Sequence, residues 1–246
     1  MIKCIVFLTK AIVIAIVALL MTSCKYDIDL GDGTKGSGNV ITEKRNINEP
    51  FTKIEVSRGI EVIIDQADNV EVEVEADDNI IKHITTKVMN NVLVISSDEN
   101  INFAETETVR VKMPIINGLQ ASSGSNIKTN GILRGTSIWI KSSSGSEIDA
   151  TLEYDAVDGE SSSGSEISFA GKALKLTTGS SSGSEINAGN LIANEIVSEA
   201  TSGSSSNVHP LVVLTAKASS GSSITYQGSP KKVNKEETSG GDVSKN

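Results

Sequence analysis

The chain has 246 residues, only 3% of them aromatic, and its formal net charge at pH 7 is -9. So few aromatic side chains argue against a thick globular core and favour thin, regularly stacked sheets filled with aliphatic residues. The net negative charge, with no cluster of Lys and Arg along the sequence, excludes the usual kinds of nucleic-acid-binding protein. Cations, neutral glycans or proteins are left as partners.

The first 23 residues have the pattern of a signal peptide. Lys3 and Lys10 supply positive charge, and the apolar run at 11–21 is too short to cross a bilayer as a helix. Met21-Thr22-Ser23-Cys24 then resembles a bacterial lipobox, with Met where Leu is usual. We therefore expect 1–23 to be removed and Cys24 to be lipidated, with palmitate among the acyl chains. Ordinary secretion with a free thiol at Cys24 is the alternative.

The residues after Cys24 bear on where the protein is anchored. Asp27 and Asp29 resemble the acidic surface-export signals of Bacteroidetes lipoproteins. This favours an outer-membrane lipid anchor at the cell surface over a periplasm-facing one. The Gly- and Asp-rich stretch that comes next predicts a flexible tether over 24–39. Because Cys4 lies in the leader, the mature chain has no second cysteine for an internal disulfide.

Residues 40–120 contain short runs in which branched aliphatic residues alternate with polar ones, the pattern of half-buried strands. The runs lie at 51–56, 60–64, 70–74, 92–95 and 109–113. Their spacing is irregular, so this part is predicted to form wider, irregular coils or a sheet continuous with the C-terminal half of the chain.

A repeat dominates residues 121–228. The motif Ser-Ser-Gly-Ser-x-Ile recurs, in identical or looser form, with glycines at 124, 145, 164, 183, 203 and 221, spaced by 21, 19, 19, 20 and 18 residues. A near-constant period of this size indicates a solenoid. Helical repeats are too long, and the Leu pattern of leucine-rich repeats is absent, so the prediction is an all-β coil with two or three short strands per turn.

Stacking of the turns predicts internal columns of side chains, since side chains alternate between the two faces of a strand. The inner apolar column should contain Ile127, Ile148, Ile167, Ile186 and Ile224, and a hydroxyl column Ser125, Ser146, Ser165 and Ser184. Leu174 with Leu176 is expected to close one turn. Glycine at each corner should permit positive φ or close approach, so Gly164→Val should disrupt stacking.

One outward row is the candidate ligand site. Glu147, Glu166 and Glu185 share one repeat position and should stack on one outer face, flanked by Asn126 and Asn207. Such a row could bind Ca²⁺, which favours oxygen ligands, or accept hydrogen bonds from sugar hydroxyls. The alternative is a solvated acidic face that keeps the solenoid soluble. No cofactor is otherwise indicated.

Catalytic patterns are weak. His83 and His209 are the only histidines, and Ser-Gly-Ser recurs too often to mark a nucleophile. A phosphate-binding Gly-Lys-Ser/Thr loop is missing, and Cys and His are too few for the usual zinc sites. The sequence therefore predicts a protein that is not an enzyme.

The polar stretch 229–246 is predicted to cap the solenoid or to trail as a tail, with a last Ser-Gly-Gly turn at 239–241. Exposed strand edges at the ends of a solenoid favour end-to-end association, so a homo-oligomer is a further expectation.

Several motifs together support a family resemblance. They are the lipobox, the strand Gly59-Ile60-Glu61-Val62, the tandem Ser-Gly-Ser-x-Ile motifs and the closing Ile-x-Tyr-x-Gly-x-Pro at 224–230. The chain resembles the auto-transporter adhesin "head GIN domain" family of Bacteroidetes envelope proteins. The resemblance covers 40–246 and implies a right-handed parallel β-helix and an adhesin role. The spacing of the repeat predicts rungs of about 19 residues.

The sequence leaves three hypotheses for function. The first is a non-catalytic surface lipoprotein that binds a glycan or protein ligand. The second is a structural or scaffolding envelope protein, and the third is a carbohydrate-active β-helix enzyme. A glycan array separates the first from the second, and release of products from polysaccharides identifies the third.

Overall fold

A computed structural model describes residues 33–246, which form a β-solenoid of about seven turns with rungs of about 19 residues. The all-β prediction and the rung length are confirmed. The predicted signal peptide and Cys24 lie outside the described residues. Within residues 33–246, no helix has the length and apolar character needed to span a membrane.

The strands fall into three groups along the chain. The first ten are short: β1 (Thr34–Lys35), β2 (Val40–Arg45), β3 (Lys53–Val56), β4 (Glu61–Gln66), β5 (Glu71–Asp77), β6 (Ile84–Met89), β7 (Val92–Ser97), β8 (Ile101–Phe103), β9 (Glu107–Met113) and β10 (Gly118–Ala121). Five long strands come next: β11 (Asn126–Ser143), β12 (Glu147–Ser162), β13 (Glu166–Ser180), β14 (Glu185–Ala200) and β15 (Ser205–Ser219). The last three are β16 (Ser223–Tyr226), β17 (Lys232–Thr238) and β18 (Asp242–Lys245).

The long strands pair in parallel, each with the equivalent residues of the next turn. Ile148 pairs with Ile127 and Ile167, and the column continues through Ile186, Ser206 and Ile224. The predicted isoleucine column is therefore confirmed, and all five isoleucines are fully buried. One hydroxyl interrupts it: Ser206, 2% exposed, bonds the buried Ser180 hydroxyl at 3.0 Å.

The alternation of inward and outward side chains changes phase where a rung bends. In β13, Ala173 faces inward, Leu174 and Lys175 both face outward, and Leu176 faces inward again. Leu174 is 53% exposed, whereas Leu176 is 1% exposed. The expectation that both leucines close the rung was wrong for Leu174, because strict period two holds only along a straight strand.

The N-terminal half is a sheet continuous with the solenoid, the second of the two predicted alternatives. Val62 of β4 pairs in parallel with Ile127, and β3 pairs in parallel with β10. Antiparallel pairs widen this end: β2 with β5, β5 with β9, and β6 with β7. All five predicted alternating runs contribute strands, namely β3, β4, β5, β7 and β9.

The described part of the predicted tether packs on the solenoid. β1 pairs with β8, and the Ser37 hydroxyl donates to Asp78 Oδ1 at 2.6 Å. The Asn39 side chain donates to Asp78 Oδ2 at 2.9 Å. Residues 34–39, the described end of the predicted tether, therefore contact residues of the solenoid.

The C-terminal stretch forms the last rung. β17 pairs with β15, and β18 pairs with β16. Ser239 and Gly240 both have positive φ, 51° and 79°, and the amide of Gly241 donates to the carbonyl of Thr238 at 2.9 Å. The predicted turn at 239–241 is therefore present.

Candidate functional site

The repeated Ser-Gly corner is a tight turn that stacks from rung to rung. Ser163 and Gly164 have φ of 56° and 69°, and two consecutive positive φ values are the mark of a type I′ turn. The Gly164 amide donates to the Ser182 carbonyl of the next corner at 3.2 Å. The corner column contains the pairs 58–59, 123–124, 144–145, 163–164, 182–183, 202–203, 220–221 and 239–240.

At six of the eight corners a serine follows the glycine, and this serine joins two rungs. The buried Ser165 hydroxyl accepts a hydrogen bond from the Ser162 amide at 3.1 Å. The same oxygen lies 2.8 Å from the Ser142 carbonyl of the preceding rung, to which it can donate. Ser146 and Ser184 repeat the arrangement with Ala121 and Ser161. These hydrogen bonds within and between rungs explain why the serine recurs. This agrees with the sequence-based interpretation of Ser-Gly-Ser as a repeated corner.

The glutamate row forms as predicted in register. Glu147 pairs with Glu166, Glu166 pairs with Glu185, and Asn126 extends the row at its N-terminal end. The three carboxylates are exposed. Partial burial, together with the charges of Glu185 and Glu147, raises the pKa of the central Glu166. The row thus concentrates negative charge on one outer face.

Asn207 does not belong to this row. Glu185 pairs with Ser205, and Asn207 pairs with Asn187 in the neighbouring outward column. The Asn207 side-chain amide donates to Asn187 Oδ1 at 3.3 Å. The expectation for Asn207 was wrong by two residues, because residues i and i+2 of a strand face the same way but occupy different columns.

A metal site built from side chains alone would need several ligating side chains close together. Within residues 33–246, no group of three or more His, Cys, Asp or Glu side chains is placed to hold a metal ion. Calcium binding by the glutamate row stays a prediction.

The two histidines have separate local partners. His83 Nδ1 lies 2.9 Å from Asp98 Oδ1, and its Nε2 lies 3.5 Å from Glu99 Oε2. His209 Nδ1 lies 3.2 Å from the Gly189 carbonyl oxygen. These contacts give each ring a structural role at its own position.

A second outward column borders a groove that sequence reasoning missed. Successive rungs place these residues in register: Lys141, Glu160, Gly179, Glu199, Lys217 and Glu236. Five of these six residues have long charged side chains, and the sixth is Gly179. At that position the column opens into a groove of about 490 Å³.

The groove is lined by groups suited to hydrogen bonding. Carboxylates come from Glu160, Glu199 and Glu236, and an ammonium group comes from Lys217. The residues directly before the corner pairs supply hydroxyls, from Ser162, Ser181, Thr201, Ser219 and Thr238. No aromatic ring lines it.

The fold itself gives no reason for glycine at 179. Its φ lies outside the left-handed region, unlike that of Gly164. A Cβ at 179 would meet nothing nearer than Glu160 Cγ at 3.9 Å. By contrast, a Cβ at Gly159 would lie 2.7 Å from the Phe169 ring. An alignment of the repeats would place this glycine in a column of charged residues. That alignment requires the pairing register of the strands, which the sequence did not provide at this position.

Comparison with known proteins identifies the family. The family model described as "Putative auto-transporter adhesin, head GIN domain" matches residues 50–230. The chain belongs to this family. The predicted resemblance is therefore confirmed. The matched residues include the glutamate row, Gly179 and seven of the eight corners.

Solved structures share the head GIN fold at low sequence identity. A "putative adhesin" from Bacteroides fragilis has a TM-score of 0.82 at 20% identity, covering 87% of this chain and 100% of its own. A "putative adhesin" from Parabacteroides distasonis has a TM-score of 0.71 at 20% identity, covering 87% and 100%. A "putative lipid binding protein" from the same species has a TM-score of 0.69 at 16% identity, covering 87% and 99%. No curated protein matches the sequence.

Proposed function

We propose that this protein is a non-catalytic binding module of the cell surface and that the Gly179 groove receives a hydroxyl-rich ligand, a segment of a neutral glycan. The observation that carries the proposal is Gly179 itself. Glycine inside a strand weakens the strand and often marks a place where a ligand approaches the backbone closely. Here neither φ nor neighbouring atoms require it.

The chemistry of the groove supports this choice of ligand. Carboxylates accept hydrogen bonds from sugar hydroxyls, and Ser and Thr hydroxyls both donate and accept. A volume near 490 Å³ falls within the usual range for small-ligand sites. Three glutamates flank it, so anionic glycans would be repelled. Without an aromatic platform, one site binds weakly, and display of many copies on a surface provides avidity.

A variant pair tests the proposal on a glycan array. Gly179→Thr fills the groove with a strand-favouring side chain and should reduce glycan binding at least tenfold, equivalent to about 1.4 kcal/mol, with an unchanged melting temperature. Glu166→Gln, on the other outer face, is the matched control and should bind like wild type. Equal binding by Gly179→Thr would refute the groove.

The array also separates the alternatives. A wild-type protein that retains no glycan, and no matrix protein printed beside the glycans, would favour a scaffolding role in the envelope. Soluble products released from a polysaccharide would indicate the carbohydrate-active enzyme instead.

Surface display is the second part of the proposal, with Cys24 as the lipidated residue and the outer membrane as its location. Metabolic labelling with a palmitate analogue should mark the wild type and not Cys24→Ser. External protease on intact cells should then cleave the labelled protein. Labelling with full protection would indicate a periplasm-facing anchor and would count against the adhesin role.

A further inference from the structure

Two carboxyl groups lie at the N-terminal end of the solenoid, away from both outer faces described above. Asp77, the last residue of β5, is fully buried. Its Oδ2 accepts a hydrogen bond from the Glu105 amide at 3.0 Å. Its Oδ1 is buried and has no hydrogen-bond partner.

Glu107, the first residue of β9, has a similarly unpartnered oxygen. It pairs across the sheet with Ala76, the neighbour of Asp77, and its Oε2 is buried without a hydrogen-bond partner. Burial raises the pKa of Glu107, and the charge of Asp77 raises it further. Among the ion pairs of residues 33–246, none joins a Lys or Arg to either carboxylate.

The N-terminal segment covers Asp77. Gly36 packs so closely on Asp77 that a Cβ at 36 would collide with the Asp77 carboxylate. The Gly36 amide donates to the Phe103 carbonyl at 2.7 Å, which fixes the segment over the β8–β9 connection. Asp78, the next residue, behaves differently: Ser37 and Asn39 satisfy its oxygens and lower its pKa.

Asp77 is fully buried and Glu107 is half-buried with one buried oxygen. Two such neighbouring carboxylates destabilise a fold unless a positive charge compensates them or a proton neutralises one of them. A cation supplies that charge without a protein partner, and hard oxygen ligands are those that calcium prefers. Backbone carbonyls and water commonly complete such a coordination shell.

We propose that Asp77 and Glu107 bind a calcium ion beneath the N-terminal segment 34–39. The ion links β5 and β9 and holds that segment on the solenoid. With two carboxylates, the affinity falls in the range of extracellular calcium modules, Kd about 10⁻⁴–10⁻³ M. Calcium at millimolar concentration would then set how firmly the segment that leads towards Cys24 is attached to the binding module.

Calorimetric titration of the chelator-treated protein with CaCl₂, at constant ionic strength, tests the site. Wild type should bind, and Asp77→Asn and Glu107→Gln should each raise the Kd at least tenfold. Asp78→Asn removes a neighbouring carboxylate whose oxygens Ser37 and Asn39 already satisfy, and it should bind like wild type. Glu195→Gln, an exposed carboxylate outside the glutamate row, should also bind like wild type. These two controls separate the site from nonspecific acidity.

Hydrogen exchange provides an independent reading of the same experiment. Calcium should slow exchange at the Gly36 amide in wild type and leave it unchanged in Asp77→Asn. If wild type binds no calcium, or if Asp77→Asn and Glu107→Gln bind as tightly as wild type, the proposal is overturned. Without calcium binding, a proton shared between the two carboxyls would be the compensating charge.

Discussion

Seven of the eight corners combine a serine and a glycine in a conformation that ordinary residues avoid, and the first has Arg58 in place of the serine. An L-residue in the left-handed region loses roughly 1–2 kcal/mol, and glycine avoids this cost. Ser163 nevertheless has φ of 56°. Hydrogen bonds from one corner to the next offset its strain, because the same contact repeats along the column.

Two glycine substitutions in the same rung test whether backbone strain, rather than steric collision, determines the loss of stability. Gly164→Val should lower the free energy of unfolding by about 1–3 kcal/mol, because a β-branched residue at φ of 69° is strained even though no atom lies within 4 Å of the added Cβ. Gly179→Val should leave stability unchanged or higher. Urea unfolding measures both, and equal effects would contradict this account.

Because the pKa of Glu166 is raised in the folded protein, the stability of the fold depends on pH, and the direction of the raised pKa gives the sign of that dependence. The folded protein holds the proton of the Glu166 carboxyl more tightly than the unfolded chain does. The contribution of this group to the free energy of unfolding is therefore present below its unfolded-state pKa of 4.5, and it is lost as the pH rises through its folded-state pKa.

Glu166→Gln should therefore raise the melting temperature at pH 7, by removing repulsion from Glu147 and Glu185, and should have little effect near about pH 3. Scanning calorimetry at both pH values measures the difference. Glu195→Gln, outside the row, is the control. A variant with the same advantage at both pH values would show that charge is not the cause.

At the scale of strands, the repeat was predictable and its bends were not. Identical corner residues fixed the period, so the columns through Ile148 and Glu166 followed from counting. Leu174 was misplaced because nothing in its sequence marks where a strand turns. Asn207 was misplaced because its rung has no glutamate to fix the register. The antiparallel pairs of the first half depend on contacts distant in sequence, which no local pattern reveals.

Aromatic rings pack against glycines of the preceding rung, which makes strand-to-strand contact testable. The Trp139 ring covers Gly118, its parallel partner, and Lys53 Nζ lies 5.6 Å from the ring centroid. Gly118→Ala would collide with that ring and should destabilise the protein by about 1–3 kcal/mol. Trp139 is the only tryptophan, so its emission should shift to the red.

Gly179→Ala is the control for this collision, since the nearest atom to its Cβ would be Glu160 Cγ at 3.9 Å, an ordinary contact. Unchanged emission and stability in Gly118→Ala would mean that the ring moves aside without loss of packing.

At the scale of the molecule, the C-terminal rung protects an open end. β17 has six exposed residues of seven and carries Lys232, Lys235, Glu236 and Glu237. Charged side chains on an edge strand discourage pairing with another chain. The sequence had indicated such a cap from its composition, and the parallel pairing with β15 shows how it is attached.

Removing residues 229–246 should uncover the edges of β15 and β16 and promote association. Light scattering after size exclusion should show larger species than for the full chain, with a lower melting temperature. A truncated protein with the mass and melting temperature of the full chain would contradict a capping role.

The hydroxyl in the inner column, Ser206 bonded to Ser180, has a calorimetric consequence. Beside the corners the interior is filled by Ser, Thr and Ala; Thr178, for example, donates to Ser198 at 2.8 Å. Unfolding hydrates polar as well as apolar groups, and exposure of polar surface lowers the heat capacity change. The heat capacity change of unfolding should therefore fall below the usual value of about 12–15 cal/mol/K per residue. The free energy of unfolding should then vary less with temperature than in a protein with an aliphatic interior.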